Sequence, residues 1–351
     1  MRTLIKRNNR VGIAAVVLAA GVLLAGLTIG SSAQETEGKH LTEKQLVQAI
    51  FHTMLKVHGV TAGHRVVHAK GVICQGTFTP SKDAETLSRA AHFQGAVPVI
   101  VRLSDGNPDP IIPDNNPNAG PRGMSIRFKL PDGGKTDIVS LSVNGFAVST
   151  GEEFLALEKA VSITDPTKPH PWPVEQFLGG HPHALRFVMG TKPVPASFAT
   201  ESFFPSDAFM FVNKAGAKQA GRYEIIPTAG QHDLTDEEAK SKSDGFLFDE
   251  LKKRLASGPI EWHLMLQLAN AGDQTKDPSD VWPDDRKKVD MGTISISSVD
   301  PDSDNAQKAL AFVPANLTDG IELSDDPFPS LRAKVYALAS AHRNAANPQP
   351  K

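Results

Sequence analysis

Polar and apolar positions follow one another along the chain in three patterns, the first being a long apolar block. Val11 to Gly30 carry no charge, and basic residues at positions 2, 6, 7 and 10 precede them. The small residues at 31–34 suit a signal peptidase, while the block also matches a bilayer core of ~30 Å. We therefore expect residues 1–33 to be a signal peptide or membrane anchor. Residues 34–351 would form one exported, periplasmic domain, soluble or tethered to the inner membrane by residues 11–30.

Apolar residues three and four positions apart form the second pattern, which predicts helices. Thr42 and Gln45 have capping-box spacing and precede apolar Leu46 and Ile50, so a helix is expected from there. Thr235 and Glu238 have the same spacing. Helices are predicted over residues 42–58, 152–161, 235–256 and 331–343, whereas 164–207 is proline-rich and irregular and 300–330 is acidic and loop-like.

Short segments rich in β-branched and aromatic residues form the third pattern, which predicts strands. They lie at residues 65–79, 97–104, 123–130, 138–143, 209–212, 222–227, 260–269 and 293–299. Pro131 to Gly134 predict a hairpin turn between two of them. Because the predicted strands and helices of this chain show little regular alternation, the expected fold is α+β, with an antiparallel sheet or barrel and flanking helices.

Composition narrows the classes of function. The chain has 351 residues, of which 40% are hydrophobic, and a formal net charge of −2. Without residues 1–33 the charges are 33 basic and 39 acidic, so nucleic acid is not an expected partner, and membrane contact is expected only through the N-terminal segment. A single cysteine, Cys74, excludes an internal disulfide and any multi-cysteine metal site.

Common catalytic motifs are missing from the sequence. There is no GxSxG, no phosphate-binding loop and no GxGxxG, so hydrolase, nucleotide and Rossmann functions lack support. The histidines give no convincing metal pair, and His181-Pro182-His183 is a weak candidate.

Two segments nevertheless carry clustered cationic, imidazole and phenol groups: RVVHAKG at 65–71 and RAKVY at 332–336, the latter followed by His342 and Arg343. Together they resemble the catalase family, in particular its short branch, the catalase-related peroxidases. Further matching pieces occur in the family's order: VPVIVRLS at 97–104, PRG at 121–123, VNGF at 143–146, DPSDVWP at 277–283 and FVP to GIE over 312–322. The resemblance covers roughly residues 42–343 and implies a catalase-like barrel that binds haem b.

The resemblance implies that Tyr336 is the axial ligand of the haem iron, since tyrosinate is an accepted haem ligand. A free tyrosine has a pKa of about 10, so a nearby cation must favour the phenolate. Arg332 lies four residues earlier and would share a helix face with it. On spacing alone, a surface tyrosine with a chance arginine explains the pair equally well.

On the other haem face, the resemblance implies that His68 is the catalytic base, because an imidazole can take a proton from one peroxide oxygen and return it to the other. Asn144 would hold the peroxide by hydrogen bonding, although Asn-Gly is also a strong turn signal.

Arg65, Arg102 and Arg343 match positions that bind the haem propionates, with surface charge as the alternative. Arg65 precedes His68 by three residues, so a strand through both would place them on opposite faces. Either the strand begins after Arg65 or a bulge intervenes. Phe146 and Phe154 could pack on the porphyrin or simply fill the core.

Tyr336 lies fifteen residues from the end of the chain, so we expect the wrapping segment and C-terminal helical domain of large catalases to be missing here. The expected function is a haem peroxidase that reduces hydrogen peroxide and organic peroxides with a small organic electron donor. Alternatives are a hydroperoxide-rearranging haem enzyme of the same fold, a non-catalytic haem-binding protein, and an exported β-rich ligand binder without haem.

Overall fold

The computed structural model of the protein describes residues 41–190 and 193–345, to which all structural statements below refer. The strands are β1 (Gly71–Pro80), β2 (Val97–Ser104), β3 (Gly123–Lys129), β4 (Lys135–Leu141), β5 (Phe209–Val212), β6 (Lys218–Pro227), β7 (Ile260–Leu268), β8 (Lys288–Val299) and β9 (Ile321–Leu323). The helices are α1 (Glu43–His58), α2 (Ala84–Leu87), α3 (Gly151–Ile163), α4 (Pro173–Gly180), α5 (Pro182–Met189), α6 (Asp236–Lys240), α7 (Phe246–Leu255), α8 (Ser303–Ala309) and α9 (Phe328–Ala345).

The strands form one antiparallel sheet in the order β4-β3-β2-β1-β8-β7-β6-β5-β9. Isolated bridges join Leu141 to Phe204 and Phe203 to Ile225, so the segment between them links β4 to β6 and the sheet curls back on itself. This arrangement confirms the predicted α+β fold with an antiparallel barrel.

The described residues form two hydrophobic cores, one inside the curled sheet and one among the helices. The inward-facing residues of the strands fill the first, which includes Val101, Leu103 and Ile126. Helices α1, α3, α4, α5 and α9 build the second, which includes Ile50, Leu155 and Val335. The predicted capping box of α1 is present, because the side chains of Thr42 and Gln45 each accept a hydrogen bond from the other's backbone N–H.

The structure corrects the predicted start of the first strand. Residues 65–70 are irregular and β1 begins at Gly71, so Arg65 and His68 lie in a loop and the alternation rule does not separate them. Of the two alternatives, the strand therefore begins after Arg65.

The single helix predicted over 235–256 is also wrong. It is two helices, α6 and α7, separated by residues 241–245. Serine and glycine interrupt the helix there: Ser241 is the C-cap of α6 and Gly245 is the N-cap of α7. The segment 164–207 is less irregular than predicted, since α4 and α5 each begin with a proline, a residue suited to the first helical turn.

The proposed leader, residues 1–33, lies outside the described residues. Within residues 41–190 and 193–345, every helix is too short or too polar to traverse a bilayer.

Candidate active site

A cavity of about 420 Å³ lies between the sheet and the helices. The outer face of β2, β3 and β4 forms one wall, and α1, α3 and α9 form the wall opposite. This volume falls in the range of cofactor and substrate pockets. The cavity brings together six of the seven site residues predicted from the sequence: Arg65, His68, Arg102, Arg332, Tyr336 and Arg343.

Strand alternation explains the chemistry of the sheet wall. In β2, Val101 and Leu103 point into the barrel core, so Arg102 and Ser104 point to the cavity. Their cross-strand partners on β3 are Ser125 and Gly123. At these four positions the outer face of the sheet therefore carries polar residues or glycine, and the cavity lies over them.

His68 stands on this wall in an uncommon backbone conformation. Its φ is 56°, in the left-handed region that residues other than glycine seldom adopt. The backbone N–H of His68 donates to the carbonyl of Gly106 at 3.1 Å, which fixes the loop against the end of β2. Strain of this kind, about 1–3 kcal/mol, persists mainly at functional sites.

The imidazole of His68 is held by its neighbours and kept neutral. Its Nδ1 lies 3.2 Å from the Ser104 hydroxyl. A Cβ at position 123 would lie 3.0 Å from the same nitrogen, so glycine there leaves room for the ring. Burial, followed by the charge of Arg102, lowers the pKa of His68 to about 3. At neutral pH the ring is thus a proton acceptor rather than a cation.

The helix wall carries Tyr336 and Arg332 on one face of α9, as the four-residue spacing predicts. Both Nε and Nη2 of Arg332 lie 3.1 Å from the Tyr336 hydroxyl oxygen. A guanidinium aimed at a phenol oxygen with two N–H groups stabilises the phenolate. A surface tyrosine with an arginine nearby by chance therefore does not explain this geometry.

Two buried carboxylates missed by the sequence analysis lie behind Arg332. Its Nη1 donates to Oδ2 of Asp207 at 2.8 Å, and Asp207 is 1% exposed. Asp326 accepts a hydrogen bond from the backbone of Phe328 at the start of α9. Burial, then repulsion by Asp207, raises the pKa of Asp326 to about 8, and burial also raises the pKa of Asp207. Burial opposes the charged form of Arg332, but Tyr336 first, and then Asp207 and Asp326, raise the pKa of this guanidinium above its usual value.

Arg65, Arg102 and Arg343 form a second cationic group at the cavity. Arg102 is 4% and Arg343 5% exposed. Their hydrogen bonds go to uncharged partners: the carbonyls of His68, Gln307, Lys308 and Leu310, the amide oxygen of Gln307 and the hydroxyl of Ser340.

The three arginines repel one another. Burial, then Arg343, lowers the pKa of Arg102 to about 9. Burial and the other two arginines lower that of Arg65 as well. Within the described ranges no carboxylate forms an ion pair with any of them, so the group is suited to an anionic ligand.

Asn144 is the predicted site residue that the cavity does not include. It lies in the loop between β4 and α3, and the residues around it that line the cavity are Leu141 and Phe146. Its contact with peroxide therefore stays a prediction. Phe146 and Phe154 both line the cavity, with ring centroids 5.8 Å apart.

The side chains present fit the haem implied by the sequence resemblance. The arginine trio is a buried cationic group without an internal counter-charge, as propionates require. Tyr336 offers a stabilised phenol oxygen on one wall and His68 an imidazole on the other. No cluster of three or more histidine, cysteine or acidic side chains offers an alternative metal site in the described part of the chain.

Comparison with known proteins shows the family to which the chain is similar. The family model described as catalase matches residues 32–350. A catalase-related peroxidase of Mycolicibacterium paratuberculosis is 36% identical over 305 residues, covering 85% of this chain and 94% of the relative. Another, of Synechococcus elongatus, is 32% identical over 337 residues, covering 94% of this chain and 95% of the relative.

Larger proteins match over part of their length. Catalase-1 of Arabidopsis thaliana is 28% identical over 312 residues, which are 81% of this chain but 61% of the plant protein. A solved bacterial catalase has a TM-score of 0.70 at 20% identity, covering 99% of this chain and 68% of its own. At that identity the structural match establishes the fold alone, in agreement with the sheet and helices described above.

Proposed function

Because this chain belongs to the catalase family, we propose that it is a haem-dependent peroxidase that reduces hydrogen peroxide or an organic peroxide with a small organic electron donor. Family membership makes it an oxidoreductase acting on peroxide. The proposal adds the cofactor type, haem b, the peroxide class and the kind of donor.

When bound, haem supplies the two electrons that cleave the O–O bond of the peroxide. Tyr336 would bind its iron, since Arg332 stabilises the phenolate that such a ligand requires. Arg65, Arg102 and Arg343 would bind the propionates, which neutralise their mutual repulsion.

His68 would move the proton. Its neutral imidazole accepts the proton of one peroxide oxygen and returns it to the oxygen that leaves as water or alcohol. The Ser104 contact at Nδ1 fixes the ring and directs this exchange to Nε2. The low pKa of His68 supports the role, because the ring is unprotonated before peroxide arrives.

One observation carries the proposal: a stabilised phenol oxygen and a neutral imidazole occupy opposite walls of one cavity. The test is the absorption spectrum of the purified protein and of two variants. We expect a Soret band with high-spin ferric bands typical of phenolate ligation. Tyr336→Phe should change this spectrum or lose haem, whereas His68→Ala should keep the spectrum and lose peroxide reactivity.

An unchanged spectrum in Tyr336→Phe would overturn the assignment of the ligand. Loss of peroxide reactivity in His68→Ala is expected to be at least ~100-fold, the usual contribution of a positioned acid–base group.

The apolar and aromatic lining of the cavity supports the organic part of the proposal. Phe51, Phe146, Phe154 and Phe187 lie along it. We therefore expect turnover of an organic hydroperoxide with a dye donor to exceed disproportionation of hydrogen peroxide at matched concentrations. Strong disproportionation without donor oxidation would contradict this expectation.

A further inference from the structure

Helix α8 ends where the three cavity arginines meet. The last carbonyls of a helix have no partner within it and need donors from elsewhere. The guanidinium of Arg65 donates to the carbonyl of Gln307 at 3.0 Å and to that of Leu310 at 2.8 Å. Nε of Arg343 donates to the carbonyl of Lys308 at 2.8 Å. Two of the arginines are therefore bound by the carbonyl oxygens at the end of α8.

The side chain of Gln307 binds the third arginine. Its Oε1 accepts hydrogen bonds from Nε of Arg102 at 3.3 Å and from Nη2 at 3.1 Å. Its Nε2 donates to Oδ1 of Asp304, three residues earlier on α8, at 3.3 Å. Because a guanidinium offers only donors and a carboxylate only acceptors, the two neighbours determine which end of the amide faces Arg102. Gln307 itself does not line the cavity, so it can act on a ligand there only through Arg102.

Contacts with the sheet hold α8 in place. The Ser303 hydroxyl accepts a hydrogen bond from the backbone N–H of Ile73 at 2.9 Å. Asp300, just before the helix, accepts one from Nε2 of Gln75 at 2.7 Å, and its backbone N–H donates to the carbonyl of Ile73 at 2.8 Å. Ile73 and Gln75 lie on β1, which pairs with β2, the strand that carries Arg102. The position of α8 relative to Arg102 is therefore set by its contacts with the sheet.

The contact between Gln307 and Arg102 fixes the cation without balancing its charge. Arg332, on the opposite wall, is bound by the carboxylate of Asp207, which supplies a counter-charge. An amide oxygen accepts the same kind of hydrogen bond but carries no net charge. Arg102 is 4% exposed, so little water screens its charge, and that charge stays available to a ligand in the cavity.

We propose that Gln307 is a positioning residue for the carboxylate groups of haem: its neutral amide holds Arg102 in place and leaves the charge of the three arginines to the ligand. The proposal rests on the haem binding proposed above and names a residue outside the cavity that sets its strength. A carboxylate at position 307 would bind Arg102 from within the protein and compete with the ligand for it. A role of this kind affects porphyrins with free carboxylates and leaves the contacts of the porphyrin ring unchanged.

The first test compares two porphyrins in the full-length wild-type chain without its cofactor. Haem and haem dimethyl ester have the same ring and iron, but the ester has no free carboxylate. Titration followed at the Soret band should show haem bound roughly tenfold or more tightly than the ester, because only haem forms charge-assisted hydrogen bonds with the arginines. Equal affinities would overturn the proposal, since the charge that Gln307 leaves available would then not be used.

The second test uses Gln307→Glu, which keeps the length of the side chain and an oxygen for Arg102 but adds a negative charge. We expect its affinity for haem to fall roughly tenfold or more, and its affinity for the dimethyl ester to change less than about twofold. The control Asn305→Asp adds the same charge at an exposed position of α8, where solvent screens it, and should leave both affinities within about twofold. Unchanged haem affinity in Gln307→Glu, or an equal loss with both porphyrins, would refute the positioning role.

The stability of the haem-free protein gives a readout that needs no porphyrin. Gln307→Glu supplies a counter-charge to a buried cation, whereas Gln307→Met removes the acceptor of two hydrogen bonds from Arg102. We therefore expect the urea midpoint to rise in the first variant and to fall in the second, because a buried charged donor without an acceptor is costly. A midpoint in Gln307→Glu at or below that of Gln307→Met would show that the side chain does not hold Arg102.

These outcomes are separate from the peroxidase function. If the wild type showed no preference for haem over its ester, the role of Gln307 would be lost, while a phenolate-type spectrum and peroxide reactivity that depends on His68 would still support the proposed function. A wild type that showed the preference but did not react with peroxide would contradict the peroxidase proposal and leave the role of Gln307 intact.

Discussion

The two groups of buried arginines around the cavity differ in how their charge is balanced. We call Arg332 with Asp207 and Asp326 the balanced group, and Arg65, Arg102 and Arg343 the unbalanced group. Arg332 pairs with Asp207 at 2.8 Å, and Asp207 and Asp326 both act on it electrostatically. Arg102 and Arg343, with Arg65, have no such partner among the described residues. Burial lowers the pKa of all three, and neighbouring arginines lower that of Arg65 and Arg102 further. Both groups border the same cavity.

This difference indicates two roles. Arg332 acts on the Tyr336 hydroxyl, whereas Arg65, Arg102 and Arg343 are suited to bind an anionic ligand. A buried cation with its own carboxylate is balanced before any ligand arrives, so Arg332 can act on Tyr336 with constant strength. Buried cations without a counter-ion raise the free energy of the ligand-free protein, and an anionic ligand recovers that energy on binding. Substitutions should therefore act with opposite sign in the two groups.

The largest effect is expected for Arg332→Met, which keeps an unbranched apolar stem but removes the charge and the hydrogen-bond donors. Asp207 would then be a buried carboxylate without its hydrogen-bonded partner. Breaking a buried pair in this way costs about 3–5 kcal/mol. Urea unfolding of the haem-free proteins at pH 7 should show a loss of this size, and a loss below about 1 kcal/mol would show that the pair contributes little.

Arg343→Met makes the same chemical change in the unbalanced group and should give the opposite result. The carbonyl of Leu310 keeps its hydrogen bond from Arg65, and repulsion on Arg102 decreases. We expect the haem-free variant to be at least as stable as the haem-free wild type, with haem bound roughly tenfold more weakly because one propionate contact is gone. Haem titration and urea unfolding check both parts.

A destabilisation in Arg343→Met comparable with that in Arg332→Met would remove the distinction between the two groups. Unchanged haem affinity would instead exclude Arg343 from propionate binding and leave Arg65 and Arg102 as the candidates.

The balanced group was only half predictable from the sequence. Helical periodicity relates Arg332 to Tyr336 because both lie on α9, and the structure confirms their contact. Asp207 precedes β5, far along the chain, in a stretch without regular periodicity. No local pattern brings it to Arg332, because that contact depends on how the sheet packs against α9.

The same limit applied to the sheet wall. Val97 to Ser104 were predicted as a strand with the observed bounds, and alternation then places Arg102 and Ser104 on one face. The contact of Ser104 with His68 was missed because His68 lies outside β1, in a loop whose left-handed conformation no residue pattern indicated. Propensity and periodicity predict elements, whereas loops that carry catalytic groups are set by tertiary contacts.

A pH dependence tests whether Asp207 and Asp326, the two carboxylates beside Arg332, repel each other. Burial and Asp207 raise the pKa of Asp326 to about 8, against about 3.9 in the unfolded chain. Between these values the folded state holds a proton that the unfolded state has released, so stability decreases as pH rises towards 8 and levels off above it. The decrease is at most about 1.4 kcal/mol per pH unit.

Asp326→Asn removes this titration and keeps an oxygen that can accept the hydrogen bond of Phe328 at the start of α9. Urea unfolding at pH 6, 7, 8 and 9 should therefore show a stability difference between variant and wild type that moves in favour of the variant up to about pH 8. Asp105 and Glu201, whose pKa values burial also raises, to about 8 and about 7, titrate in both proteins and cancel in the difference. A difference that stays constant across this range would mean that Asp326 is ionised throughout and that Arg332 and Arg222 together balance both carboxylates.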